Sequence, residues 1–302
     1  MNASTSLIAN RIGYYGPPTA TLDWCEANHQ FSYYISEMAN SLSNVFTVGC
    51  AALGAQLVVR EKLPSRFILG YLGIAAVGIG SFWFHATLLY SAQLGDEIPM
   101  IFVTTMCMWL LFDQRPGFSF LKTTRSWATT ILASLFITSF TWSYLKYRNP
   151  VYHQFVFGTM LLTIAFRVYY LLSLSKRYSP LVPADKKRHI ARLFGSGVAQ
   201  FVFAFLIWNL DNIFCETITG WKLSVGWPTA FLLEGHSWWH LFTVPNLLWN
   251  VSSSNMAQAT GTYYKFIGIQ YLVLCLKDDP QQYTLSSEFG LPYIKRITKK
   301  VD

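Results

Sequence analysis

Apolar residues run along this chain in seven long blocks, each near the ~20 residues that cross a bilayer as one helix. The blocks fall near residues 34–58, 66–87, 94–112, 126–145, 151–174, 191–213 and 229–253. Pro64, Pro116, Pro150, Pro183 and Pro228 lie in the gaps between blocks, where helix breakers belong. The pattern predicts an all-α integral membrane protein, a seven-transmembrane helix bundle over 34–255. A polar segment, 1–33, precedes it and a tail, 256–302, follows. Within that tail Tyr263–Leu276 is also apolar but, at 14 residues, short for a span. It reads as a continuation of the seventh helix or as an interfacial segment.

Composition supports the membrane assignment. Hydrophobic residues make up 52% of the chain and charged residues only 13%, about half the ~25% of a soluble domain. Helices are expected because backbone amides in hydrocarbon must bond within their own segment. Residues 1–33 are polar and lack an apolar core, so no signal peptide is expected.

Lys and Arg are unevenly placed. The loops after spans one, three and five, together with the tail, hold eighteen, from Arg60, Lys62 and Arg66 to Lys299 and Lys300. The opposite side holds four: Arg11, Lys146, Arg148 and Lys222. The positive-inside rule then puts the N-terminus in the lumen and the C-terminus in the cytosol. The net charge of +8 reflects loops facing anionic membrane lipids and does not point to nucleic acid. Lys299-Lys300-Val301-Asp302 has the form of a dilysine retrieval signal, which predicts an endoplasmic reticulum membrane protein, or one of the Golgi.

Polar residues inside spans are expensive and default to a functional reading. Span two ends in Ser81-Phe82-Trp83-Phe84-His85, span three opens with Asp96-Glu97, and span seven opens with His236-Ser237-Trp238-Trp239-His240. The i, i+4 spacing sets Ser81 with His85, and His236 with His240, on one helical face each. All three segments lie on the lumenal half of the predicted topology, so the set can converge at one depth. Three His with an open fourth position make a catalytic zinc site, in which zinc brings its water towards a pKa of ~7. Asp96 would take the proton and Ser81 would hydrogen-bond the developing oxyanion. A single His at a span end is commonly interfacial; the company of a third His, a Ser and an Asp favours a site. His29, His153 and His189 lack such company and read as solvated or structural.

Tryptophans and tyrosines near span ends read as an interfacial belt, with Trp238 and Trp239 in it or packed beside the site. Gly70, Gly73, Ala76 and Gly80 of span two read as a close-packing face. Asp23, Glu26, Asn28 and Glu37 are hard oxygen donors of the kind calcium takes. Their spacing is not that of an EF-hand, and from the residues alone a solvated acidic loop is the better reading. Cys50, Cys107 and Cys275 lie in apolar stretches and read as free buried thiols. Cys25 and Cys215 both fall in the oxidising lumen and are predicted to form a disulfide.

With these residues in place, the chain resembles the alkaline ceramidase family from Thr21 to about Asn250. The resemblance rests on Asp23-Trp24-Cys25-Glu26-x-Asn28, Ser81-x-x-x-His85 and Asp96-Glu97-Ile98-Pro99-Met100. It extends to Trp208-x-x-Asp211-x-x-x-Cys215 and His236-x-Trp238-Trp239-His240. It implies a seven-helix bundle with an intramembrane zinc held by His85, His236 and His240, and Ser81 and Asp96 as the catalytic pair. It also implies calcium on Asp23, Glu26, Asn28, Glu37 and the Trp24 backbone carbonyl, which overrides the solvated-loop reading, and a disulfide at Cys25 and Cys215. The implied reaction is hydrolysis of ceramide, with phytoceramide or dihydroceramide as candidates, drawn from the bilayer. No obligate protein partner is predicted. Asp211 reads either as a partner for a ligand His or as a structural hydrogen-bonding group.

The main rival is a seven-span receptor of the progestin and adiponectin receptor type, which shares a similar zinc constellation. The N-terminal acidic block and Asp96-Glu97-Ile98-Pro99-Met100 favour the ceramidase branch. A retinal protein is disfavoured because no lysine lies between Thr229 and Ser253. Phe112-Asp113-Gln114 is a poor match to the Asp/Glu-Arg-Tyr of a G-protein-coupled receptor. A transporter would need internal repeats or broken helices, and neither is evident. Asn2-Ala3-Ser4 is a candidate lumenal glycosylation site, whereas Asn250-Val251-Ser252 falls within a predicted span and reads as unused.

Overall fold

The computed structural model describes residues 12–113, 117, 124–242 and 261–297. A polar strap, residues 12–37, leads into helices α1 (Met38–Arg60), α2 (Arg66–Thr87) and α3 (Tyr90–Phe112). Next come α4 (Thr124–Tyr147), α5 (Pro150–Tyr169, extended by a π turn to Leu174) and α6 (Ala184–Ile213). They are followed by α7 (Cys215–Val225), a 3-10 turn at Thr229–Leu233, and α8 (Gly235–Phe242). After the gap come α9 (Gly261–Lys277) and a hairpin of β1 (Tyr283–Glu288) and β2 (Leu291–Arg296). Among the described residues six helices, α1 to α6, are long and apolar enough to cross a membrane. The chain is an all-α, multi-pass membrane protein in which the hairpin is the one described sheet.

Local chemistry sets the boundaries. Pro150 opens α5 at a position that needs no N–H, and the Asn149 side chain accepts from the Val151 amide at 3.0 Å. Leu88 closes α2 in the left-handed region at φ 51°. α3 starts at Tyr90, ahead of the predicted residue 94, so that Asp96 and Glu97 sit in its second turn. α6 likewise begins at Ala184, not near 191, because Lys186 is drawn inward by the carbonyls of Pro280 and Tyr283. Of the predicted seventh block, residues 243–253 lie outside the described residues. So do both candidate glycosylation sites and the dilysine tail.

Small residues let α2 pack tightly on its neighbours. A Cβ on Gly73 would meet Val103 of α3, and one on Gly80 would meet the Gly95 carbonyl. That carbonyl is free to approach because Pro99, four residues on, has no N–H to bond it. α9 is buried along almost its whole length and lies against α6, with Gly197 beside Gly261 and Gly268 beside Phe194. It also reaches α2, where the Tyr71 hydroxyl donates to the Gln270 side chain at 3.3 Å. The apolar stretch read from sequence within the tail therefore belongs to the helical body. At the end of the bundle remote from the histidines, Asp113 forms ion pairs with Lys277 at 2.8 Å and with Arg66 at 3.6 Å, tying α3, α9 and α2 together. Outward faces of α4 and α5 are strongly apolar, with Leu132 66% and Phe155 74% exposed, as expected of surfaces meeting hydrocarbon.

Candidate active site

Several pieces of chain meet at one end of the bundle, among them the strap, the end of α2, the second turn of α3, and α8. The strap is pinned to the end of α2 by backbone bonds, Glu37 N to His85 O at 3.0 Å and Ser36 N to Ala86 O at 2.9 Å. The Gly80–Gly95 approach brings Ser81 of α2 against Asp96 of α3, and the Ser81 hydroxyl bonds the Asp96 carboxylate. Asp211 near the end of α6 accepts the Gly235 amide at 3.2 Å and so caps α8. Gly235 is required there, since a Cβ would lie 2.8 Å from the Asp211 side chain. Asp211 thus resolves to the structural role among its two sequence readings, and Nδ1 of buried His236 has no hydrogen-bond partner.

His85, His236 and His240 converge from α2 and α8, each buried, with one ring nitrogen apiece lying within 4.8 Å of the others. Nε2 of His236 is 3.3 Å from Nε2 of His85, and the Ser81 hydroxyl is 3.4 Å from Nε2 of His240. The outward nitrogens of two of the three are held. Nδ1 of His85 donates to Glu37 Oε2 at 2.5 Å, while Nδ1 of His240 lies 2.8 Å from the Ser43 hydroxyl and 3.2 Å from the Asn44 side-chain amide. The Trp24 indole stacks on His236 with ring centroids 3.7 Å apart and planes 14° off parallel. A trio of inward imidazoles backed by a carboxylate is a donor set that fits a borderline transition ion and not calcium or magnesium.

The acidic strap residues cluster beside this trio. Glu26 accepts the Ala39 and Asn40 amides at 2.7 and 2.9 Å, capping α1. Asn28 accepts from the Ser36 hydroxyl at 3.0 Å, and Asp23 accepts the Trp24 amide at 3.0 Å. Burial, aided by the nearby Glu37 carboxylate, pushes Glu26 up to about 7. Among the described residues one cation serves the group: Lys222 of α7 donates to Glu234 at 2.6 Å and to the Cys25 carbonyl at 3.2 Å. Glu37 Oε1, Asn40 Oδ1 and Glu234 Oε1 are buried acceptors with no hydrogen-bond partner. Surplus carboxylates and orphaned oxygens fit a hard cation. A disulfide joins Cys25 to Cys215, with Cα atoms 5.4 Å apart, and fixes the strap to the start of α7.

The remaining sequence candidates separate cleanly. His153 is buried and bonds the Glu97 backbone carbonyl at 3.0 Å, His29 is buried against Ser32 at 3.2 Å, and His189 is exposed. Cys50, Cys107 and Cys275 are buried free thiols. Sequence reasoning missed the Glu37–His85 bond, the Trp24 stack and the Lys222–Glu234 pair. It also passed over Ser43 and Asn44, although polar residues in the first turns of span one were a readable signal.

A family model described as Ceramidase matches residues 16–295, from within the strap to the second strand of the hairpin. This chain belongs to the ceramidase family. It is 33% identical to alkaline ceramidase 3 of Mus musculus over 236 residues, covering 78% of this chain and 82% of the relative. Alkaline ceramidase YPC1 of Saccharomyces cerevisiae is 32% identical over 242 residues, covering 76% of this chain and 74% of the relative. An alkaline ceramidase of Arabidopsis thaliana is 28% identical over 235 residues, covering 76% and 80%. Every ceramidase-like site residue named above lies inside the family match.

Proposed function

We propose that this ceramidase-family chain hydrolyses the amide bond of ceramide, releasing a sphingoid base and a free fatty acid. The observation that carries the reading is the meeting of His85, His236 and His240 beside the Ser81–Asp96 pair. His85, His236 and His240 would hold zinc. When bound, zinc supplies a Lewis acid that lowers the pKa of water and polarises the amide carbonyl. Asp96 accepts the proton of the attacking water and returns it to the leaving amine. Ser81, one helical turn from His85, donates a hydrogen bond to the oxygen that gains charge on the tetrahedral carbon. Glu37 keeps the His85 ring in the tautomer whose Nε2 lone pair faces inward.

Calcium would be held by Asp23, Glu26, Asn28, Glu37 and the Trp24 carbonyl, a reading supported by the orphaned Glu37 oxygen. α8 and α9 both lie along α6, and we read them as the two halves of a seventh span. Support comes from Phe201 of α6, whose ring meets both Trp239 of α8 and Lys265 of α9. The charge bias supports a lumenal strap and a cytosolic hairpin in an endoplasmic reticulum or Golgi membrane. The substrate is ceramide taken laterally from the bilayer, with phytoceramide and dihydroceramide the first to try. The test is incubation of purified protein in detergent with ceramide. Equimolar fatty acid and sphingoid base support the reading, and their absence from metal-replete, folded protein refutes it.

A further inference from the structure

Lys265 is the one charged side chain on α9 away from its C-terminal end. Its stem crosses α6 where Gly197 leaves room, since a Cβ on Gly197 would lie 2.7 Å from Lys265 Cγ. Its ammonium sits over the Phe201 ring, 4.4 Å from the centroid. Gly197 and Phe201 are near the middle of Ala184–Ile213, so the half-buried Lys265 side chain lies beside the mid-length of a helix long and apolar enough to cross a membrane. Among the described residues no carboxylate pairs with it. An intramembrane ammonium is costly unless an anion or dipole answers it, and a single ring face answers it only in part.

The position points towards the histidines. Phe201 carries the ammonium on its face and meets Trp239 at a centroid distance of 5.2 Å. Trp239 is the residue before His240 in α8. A short aromatic path thus joins the metal-ligand helix to an unpaired cation in the apolar interior. Ceramide and the sphingosine hydroxyls bring no negative charge. The fatty acid brings one, on a group attached to an apolar chain that suits this environment.

We propose that Lys265 is the binding site for the carboxylate of a long-chain fatty acid, the acid product, held after it leaves the histidine centre. The inference rests on the amide-hydrolase reading for the origin of the acid, but its test needs no turnover. Equilibrium binding of radiolabelled palmitate to the purified full chain is measured against hexadecanol, for wild type, Lys265→Met and Lys265→Arg.

The expected result is tighter binding of palmitate than of hexadecanol by wild type. Roughly tenfold or more is lost in Lys265→Met and largely restored in Lys265→Arg. Equal palmitate affinity in wild type and Lys265→Met overturns the proposal. Should Lys265→Met fail to fold, reductive methylation of wild type read by mass spectrometry replaces it. Protection of Lys265 by palmitate but not by hexadecanol is expected, and equal methylation with and without palmitate is the contrary result. Palmitate binding without ceramide hydrolysis would sink the proposed activity and leave this site standing; hydrolysis without Lys265-dependent binding does the reverse.

Discussion

Glu37 Oε2 lies 2.5 Å from Nδ1 of His85, both atoms buried, which couples the strap directly to the imidazole trio. The carboxylate cannot relax away, because its own backbone amide bonds the His85 carbonyl at 3.0 Å. Replacing it by Gln keeps the shape and removes the charge. Glu37→Gln is expected to weaken zinc binding by roughly 10- to 100-fold, the usual effect of losing such a partner. Zinc competition with a fluorescent chelator reads this, and an unchanged affinity would remove Glu37 from that role.

In the proposed mechanism Asp96 and Ser81 act on protons and charge, not on the metal. Asp96→Asn is expected to retain full zinc content while hydrolysis falls roughly 100- to 10,000-fold, the contribution of a positioned base. Elemental analysis and turnover of the same sample test this. Full activity would take Asp96 out of the mechanism.

Gly80 sets the distance between that pair. A methyl group there would run into the Gly95 carbonyl, pushing α2 from α3. Gly80→Ala is expected to cost about 1–3 kcal/mol of stability and to lower kcat by about 100-fold, because a displacement near 1 Å suffices for that loss. Zinc content should survive, since the histidines come from α2 and α8. A kcat within twofold of wild type would contradict the close-approach argument.

The disulfide carries the strap. Cys25→Ser releases a loop closed over 190 residues and is expected to lower stability by about 2–4 kcal/mol. Thermal melting with and without calcium checks it. The calcium-dependent rise in Tm should shrink in the variant, because Cys25 lies between the strap residues Asp23 and Glu26.

If α8 and α9 are halves of one span, the loop before α8 and the turn after α9 lie on opposite sides. Single cysteines at Gly226 and Asp279, in a background lacking the three free thiols, should label from opposite faces of sealed vesicles. Labelling from one face would dismantle the seven-span reading.

The sequence made the two i, i+4 pairs and the Asp96 opening legible, because spacing alone puts such residues on one face. It also located Cys25 and Cys215, since topology confined them to one compartment. Glu37 reads from sequence only as part of an acidic strap, because its bond to His85 spans 48 residues and exists only once the strap folds over α2. From sequence α3 starts only at residue 94, because Gln93 breaks the apolar pattern there, although the polar groups of this stretch are answered inside. Gln93 bonds Thr21, and Glu97 accepts from Tyr144. α9 reads from sequence as either a continuation of the seventh helix or an interfacial segment, because its apolar run is short and carries Lys265, whose placement depends on Gly197 of another helix.

The central claim is an amide hydrolysis that depends on the imidazole trio. The most direct measurement is ceramide turnover by purified wild type and His240→Ala, each before and after chelation and zinc replacement. Wild type should lose fatty-acid release on chelation and recover it with zinc, while His240→Ala should stay inactive throughout with its disulfide and melting transition intact. Unchanged release by chelated wild type, or by folded His240→Ala, would contradict the account.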